Sequence, residues 1–136
     1  MSQRSLKLFW CTTDENSCCG VPNCEDWFIV ARNARQAAAQ HESAEGFESG
    51  AAEAKMIVEL PAEWQGVCMW CRNPWPKELL EGSGSLIDKR CTQCDAALVG
   101  WPSDEVMKAC GGRPVRGQDA WILDGRKYAM GQELKA

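Results

Sequence analysis

Two short cysteine pairs constrain this chain more than anything else in it. Cys68-Met-Trp-Cys71 is followed, after nineteen residues, by Cys91-Thr-Gln-Cys94. A two-residue spacer lets both sulfurs of a pair turn inward on one tight loop, so each loop supplies half of a tetrahedron. Two such loops at this separation fit a four-thiolate site for Zn²⁺. With all four ligands drawn from the protein, no position is left for water, and the ion is expected to be structural. Two disulfides, or four buried thiols, are the competing readings of the same residues.

Over residues 66–100 the pattern resembles zinc-ribbon proteins. Cys68-x-x-Cys71 and Cys91-x-x-Cys94 look like the two knuckles of such a ribbon. The resemblance implies a metal-stapled module, and nucleic-acid binding as one familiar use of it. The chain departs from the commonest knuckle, in which a glycine follows the second cysteine of each pair. Arg72 and Asp95 stand there instead.

A chain of 136 residues makes one domain, or two small ones sharing a core. Its 45% hydrophobic and 25% charged content is that of a soluble globular protein. No apolar run approaches the roughly 18 residues of a membrane helix. The start, Met1-Ser-Gln-Arg-Ser5 running into Leu6-Lys-Leu-Phe-Trp10, lacks the features of a signal peptide. The expected compartment is the cytosol, with no membrane partner. Nine cysteines, an odd number, argue against a secreted disulfide scaffold and for metal ligation.

The net charge of −4 is unevenly placed. Residues 1–64 hold five Lys/Arg against ten Asp/Glu, and residues 65–136 hold ten against nine. Neither half is the basic surface that phosphate neutralisation usually needs.

Along the chain, Leu6, Leu8 and Trp10 alternate with Lys7, Phe9 and Cys11, the period of a strand. Trp27-Phe-Ile-Val-Ala31 is a continuous apolar run, expected of a strand buried on both faces. Asn33 with Gln36 reads as a helix cap, and the helix is predicted over residues 34–44. Ala34, Ala37, Ala38, His41 and Ala44 share one of its faces. Ala54, Met56, Val58 and Leu60 alternate as a third strand that Pro61 ends. The last three of these elements form a β-α-β crossover with two strands parallel. Lys77–Glu81 is predicted as one helical turn, Leu98–Trp101 as a ribbon strand, and Ser103 as the cap of a short helix through Cys110. Asp124-Gly125 is the preferred two-residue turn of a hairpin over Trp121–Tyr128.

The predicted fold is therefore α+β. A β-β-α-β unit over residues 1–64 is followed by a zinc-ribbon module with a C-terminal β-hairpin over 65–136, the two sharing one core. Cys11, Cys18, Cys19, Cys24 and His41 are the candidates for a second metal site, although their spacing is irregular. His41 is the only histidine, so a hydrolytic zinc site lacks ligands. No phosphate loop, nucleophile elbow or dinucleotide fingerprint occurs, and no enzymatic activity is expected.

Seven tryptophans are many for this length. Trp10, Trp27 and Trp121 belong to strand patterns. Trp70, Arg72 and Trp75 are the candidate partner-binding residues, although packing over the knuckles as a substitute core is the favoured role of the two tryptophans. The expected function is that of a small zinc-binding adaptor or inhibitor of another protein, of a size and style common among phage and mobile-element proteins. The alternative is a nucleic-acid-binding ribbon using Arg72, Lys89, Arg90, Arg113 and Arg116.

Overall fold

Alternation along the first strand decides the architecture, because its two faces bury different partners. In the computed structural model, residues 5–13, 27–45, 52–81, 86, 89–118 and 120–129 are described. Strands β1 (Lys7–Thr13), β2 (Trp27–Ala31) and β3 (Ala52–Glu59) form one sheet, and helix α1 (Ala34–Glu45) connects β2 to β3. The spatial order is β2-β1-β3, with β1 antiparallel to both neighbours. β2 and β3 therefore run in the same direction, as the crossover requires, but β1 lies between them.

Helix α1 covers one face of the sheet. Phe9, Cys11, Ile29 and Ala31 are buried there around Ala37. The absence of a larger side chain at Ala37 allows close approach, and the Cys11 Sγ lies 3.7 Å from the Ala37 carbonyl oxygen. The helix start is held as expected. Asn33 Oδ1 accepts from Gln36 N at 2.9 Å. The Gln36 amide reaches back one residue further than a capping box requires, accepting from Arg32 N at 3.4 Å. Ala37 and His41 are buried, whereas Ala34 is exposed, so the buried stripe is narrower than the alanine pattern suggests. Glu42 instead turns inward and accepts from Ala52 N at 2.9 Å, tying the helix to the start of β3.

The other face carries Leu6, Leu8, Phe28 and Val30. These join one continuous core with Trp64, Met69, Trp75, Leu86, Leu98, Val106, Trp121 and Leu123 from the second half of the chain. Trp10 sits at its edge, 4.8 Å from Phe28 and 5.1 Å from Tyr128 between ring centroids.

The simple alternation expected for β3 does not hold. The register passes from Leu8↔Val58 to Phe9↔Met56, so Ile57 is an extra residue and the strand is bulged. A one-residue insertion exchanges the faces on either side of it. Ala54 consequently packs on the α1 side and Val58 on the opposite side. Met56, expected in line with them, is 44% exposed.

In the second half, a 3₁₀ turn (Ala62–Trp64) and helix α2 (Lys77–Glu81) flank the first cysteine pair, and α3 (Asp104–Ala109) follows the second. Ser103 caps α3, its Oγ accepting from Val106 N at 3.2 Å. β5 (Ala120–Leu123) and β6 (Arg126–Ala129) form the hairpin. Asp124 and Gly125 both have positive φ, 52° and 78°, as a type I′ turn demands. A short strand the sequence pattern did not reveal, β4 (Arg113–Pro114), pairs with β5 as a third member. The Leu98–Trp101 segment is not a ribbon strand. Leu98 and Val99 enter the core, and Gly100 makes a single antiparallel bridge to Val30 on the outer side of β2. No helix among the described residues is long and apolar enough to cross a membrane.

Candidate metal centre

The two cysteine pairs fold into nearly the same turn twice. Cys68 N donates to Asn73 O at 2.9 Å, and Arg72 N to Cys68 O at 3.0 Å. In the second turn Cys91 N donates to Ala96 O at 2.8 Å, and Asp95 N to Cys91 O at 3.0 Å. A backbone N–H also points at the first sulfur of each pair: Trp70 N lies 3.4 Å from Cys68 Sγ, and Gln93 N lies 3.3 Å from Cys91 Sγ. Antiparallel bridges, Val67↔Pro74 and Arg90↔Ala97, close each turn at its base.

The residues that replace the usual glycine take glycine's backbone. Arg72 has φ +68° and Asp95 has φ +64°. Both turns thus keep the left-handed step that brings the chain back after the second cysteine, at a cost in side-chain crowding that glycine would avoid. Arg72 recovers part of this by laying its guanidinium over the Trp64 ring, 4.3 Å from the centroid.

The four sulfurs of Cys68, Cys71, Cys91 and Cys94 all lie within 4.8 Å of one another. Two of the separations that run between the turns are Cys68–Cys94 at 3.6 Å and Cys71–Cys91 at 3.5 Å. A disulfide would need a separation of about 2.05 Å. A tetrahedral ion with four metal–sulfur bonds of about 2.3 Å sets its sulfurs about 3.8 Å apart. The four thiols match the second arrangement and not the first, so they can hold one metal ion.

The crowding of the sulfurs also shows in their acidities. The Cys71 thiol is lowered from 9.0 to about 6, first by the backbone N–H of Asn73, then against desolvation by the Asn73 amide and the neighbouring Cys91 and Cys68 thiols. At Cys94 the backbone N–H of Ala96 pulls downward. Desolvation and the thiols of Cys68, Cys71 and Cys91 outweigh it, pushing Cys94 up to about 12. Sulfurs this close cannot all ionise without a cation among them, and a divalent ion removes that penalty.

The other expected ligands are placed differently. Cys11 and His41 are fully buried in the α1 side of the molecule. Cys18, Cys19 and Cys24 lie outside the described residues. Among the described residues, the four turn cysteines are the one group able to hold a metal. Cys110, beyond α3, is pushed up to about 11 by burial and stays a neutral thiol.

The three residues expected at a partner surface separate. Trp70 is 53% exposed, whereas Trp75 is only 5% exposed and belongs to the core, which agrees with the packing reading and corrects its place among the partner-binding candidates. The Pro74 and Pro76 that flank Trp75 favour an extended path that turns its ring inward, where Trp75 N donates to Gly66 O at 2.9 Å. Arg72 is engaged with Trp64. Among the described residues, Trp101 is the other large exposed aromatic, at 49%. Its signal was compositional only, a tryptophan beside Pro102 with no alternation to bury it.

No protein-family model, no curated protein and no solved structure matches the chain.

Proposed function

We propose that this is a small zinc-binding protein in which a structural ribbon, held by Cys68, Cys71, Cys91 and Cys94, supports the binding of another protein. The observation that carries the reading is the doubled turn, with four sulfurs at the spacing of a tetrahedral four-thiolate centre. A d¹⁰ ion with no geometric preference of its own suits a cage of four thiolates, and zinc is the common ion of that kind. Its role here is to fix the second half of the shared core. A site of this type contributes on the order of 10–16 kcal/mol of apparent free energy.

A binding role rather than a chemical one is supported by the closed ligand set and by two large aromatics, Trp70 and Trp101, exposed among the described residues. Metal content of the anaerobically purified protein tests the first part. One zinc per chain is expected, lost on Cys→Ser substitution at any of the four positions and retained at Cys110. Two zincs per chain would return Cys18, Cys19 and Cys24 to consideration. A salt titration of nucleic-acid binding tests the second part. Saturable binding that weakens steeply with salt would replace the protein-binding reading with the nucleic-acid one.

A further inference from the structure

The two exposed tryptophans line one cavity of about 280 Å³. Trp27 and Trp101 lean on each other there, with ring centroids 5.3 Å apart and planes inclined by 31°, forming one broad aromatic wall. Trp70, from inside the first cysteine turn, and Trp121, from the hairpin, line it as well, with Met107 of α3. Among the described residues, Asp104, the first residue of α3, is the single ionisable one on the lining. Four elements distant in sequence thus bring four indoles and one carboxylate to one opening.

Indole faces carry negative quadrupole potential and attract cations held above them. A carboxylate at the rim adds to this. The kind of cation is set by what the lining lacks. An ammonium needs acceptors for three N–H groups and a guanidinium for five. One carboxylate among tryptophans leaves most of these unsatisfied. A fully methylated ammonium has no N–H to satisfy, is weakly hydrated, and offers methyl groups to the ring faces.

We infer that the cavity lined by Trp27, Trp70, Trp101, Trp121 and Asp104 binds a methylated ammonium head, carried on a lysine side chain of the protein partner. This rests on the protein-binding reading above and names the chemistry of that partner. It also couples the two sites of the molecule. Trp70 sits between Cys68 and Cys71, and its backbone N–H is directed at the Cys68 sulfur. Metal at the cysteines therefore holds one wall of the cavity.

The test is a tryptophan-fluorescence and NMR titration of the zinc-loaded full chain with N-acetyl-trimethyllysine amide. Three comparators are used: unmethylated lysine, choline, and the neutral isostere in which a quaternary carbon replaces the nitrogen. Saturable binding of the trimethyllysine probe is expected, about tenfold tighter than the carbon isostere or lysine. Trp101→Ala is expected to abolish it and Asp104→Asn to weaken it several-fold, with metal content and circular dichroism unchanged. Trp101→Phe, which keeps a ring, is expected to retain part of the affinity. Choline binding more tightly than trimethyllysine would overturn the assignment to a lysine side chain. Equal binding of the carbon isostere, no saturation, or indifference to Trp101→Ala would overturn the cation site. A defined protein partner whose binding survives Trp101→Ala would also sink the cavity proposal, while leaving the protein-binding function standing. Probe binding with no macromolecular partner would sink that function and leave the cavity.

Discussion

Substituting Asp95 tests whether the left-handed backbone of the cysteine turns is a requirement of the metal site. A non-glycine residue in this conformation costs about 1–2 kcal/mol, with Asp at the low end because it tolerates the region better than most residues. Asp95→Gly removes that strain, but the unfolded glycine chain gains freedom worth about 0.5–1 kcal/mol. The net effect is expected to lie between neutral and about 1 kcal/mol favourable. Asp95→Val places a β-branched side chain at φ +64°, where strain of roughly 1–3 kcal/mol is typical. The exposed Asp95 side chain makes no core contact that would confuse the comparison. Less the same glycine cost, the valine form should bind more weakly than the glycine form by about 1–2 kcal/mol, or roughly 5- to 30-fold in an affinity constant. The measurement is competition for Zn²⁺ with a chromophoric chelator under reducing, anaerobic conditions. Valine and glycine variants that agree within about threefold would refute the reasoning. Arg72→Gly supplies the internal control. There the relief of strain is offset by losing the stack on Trp64, worth about 0.5–1 kcal/mol, so the first turn should respond less favourably than the second.

Chelation of the metal should collapse the near-UV signal of the Trp10, Phe28 and Tyr128 cluster as well as the cysteine module, because one core spans both; a near-UV spectrum retained after chelation would contradict this. Gly66→Ala should lower thermal stability by about 1–2 kcal/mol, since φ there is +73°, while the Leu80 Cδ2 that a Cβ would meet at 2.6 Å ends an exposed side chain and can move aside. For Cys110 the fold favours the neutral thiol, raising it from 9.0 to about 11. That contribution is present below pH 9 and is lost as pH rises towards 11, because the unfolded chain releases the proton first. Urea midpoints measured across this window should fall more for the native chain than for Cys110→Ala, and parallel declines would count against it.

How much of this was legible beforehand depends on the distance over which each feature is decided. The cysteine spacing, the Asn33 cap, the Asp124-Gly125 turn and the alternation of Leu6 to Cys11 are settled within a few residues, and the pattern carries them. The bulge at Ile57 is not local: it exists because Leu8 and Phe9 must both find partners, so the run from Ala54 to Leu60 could not announce it. The central place of β1 is likewise a choice among pairings that strand patterns leave open. β4 is two residues long and contains Pro114, which no strand pattern would favour. At Trp70 and Trp75 the same residue type met opposite fates five positions apart. Only the packing of α2 and the 3₁₀ turn around the first cysteine pair decides which ring is enclosed.

The middle position of β1 sets a schedule for synthesis. Its first partner, β2, is made soon after it, but Lys7 pairs with Glu59 on the other side, and Leu6 and Leu8 wait for Leu98, Trp121 and Leu123. A growing chain therefore carries an apolar strand with one open edge until β3 emerges, and one uncovered face until the hairpin is complete. Such non-local pairing is slow and exposed to aggregation. The cysteine turns can close before the hairpin is made, and ion capture once Cys94 has emerged would supply a fixed surface on which the waiting face of the sheet can settle.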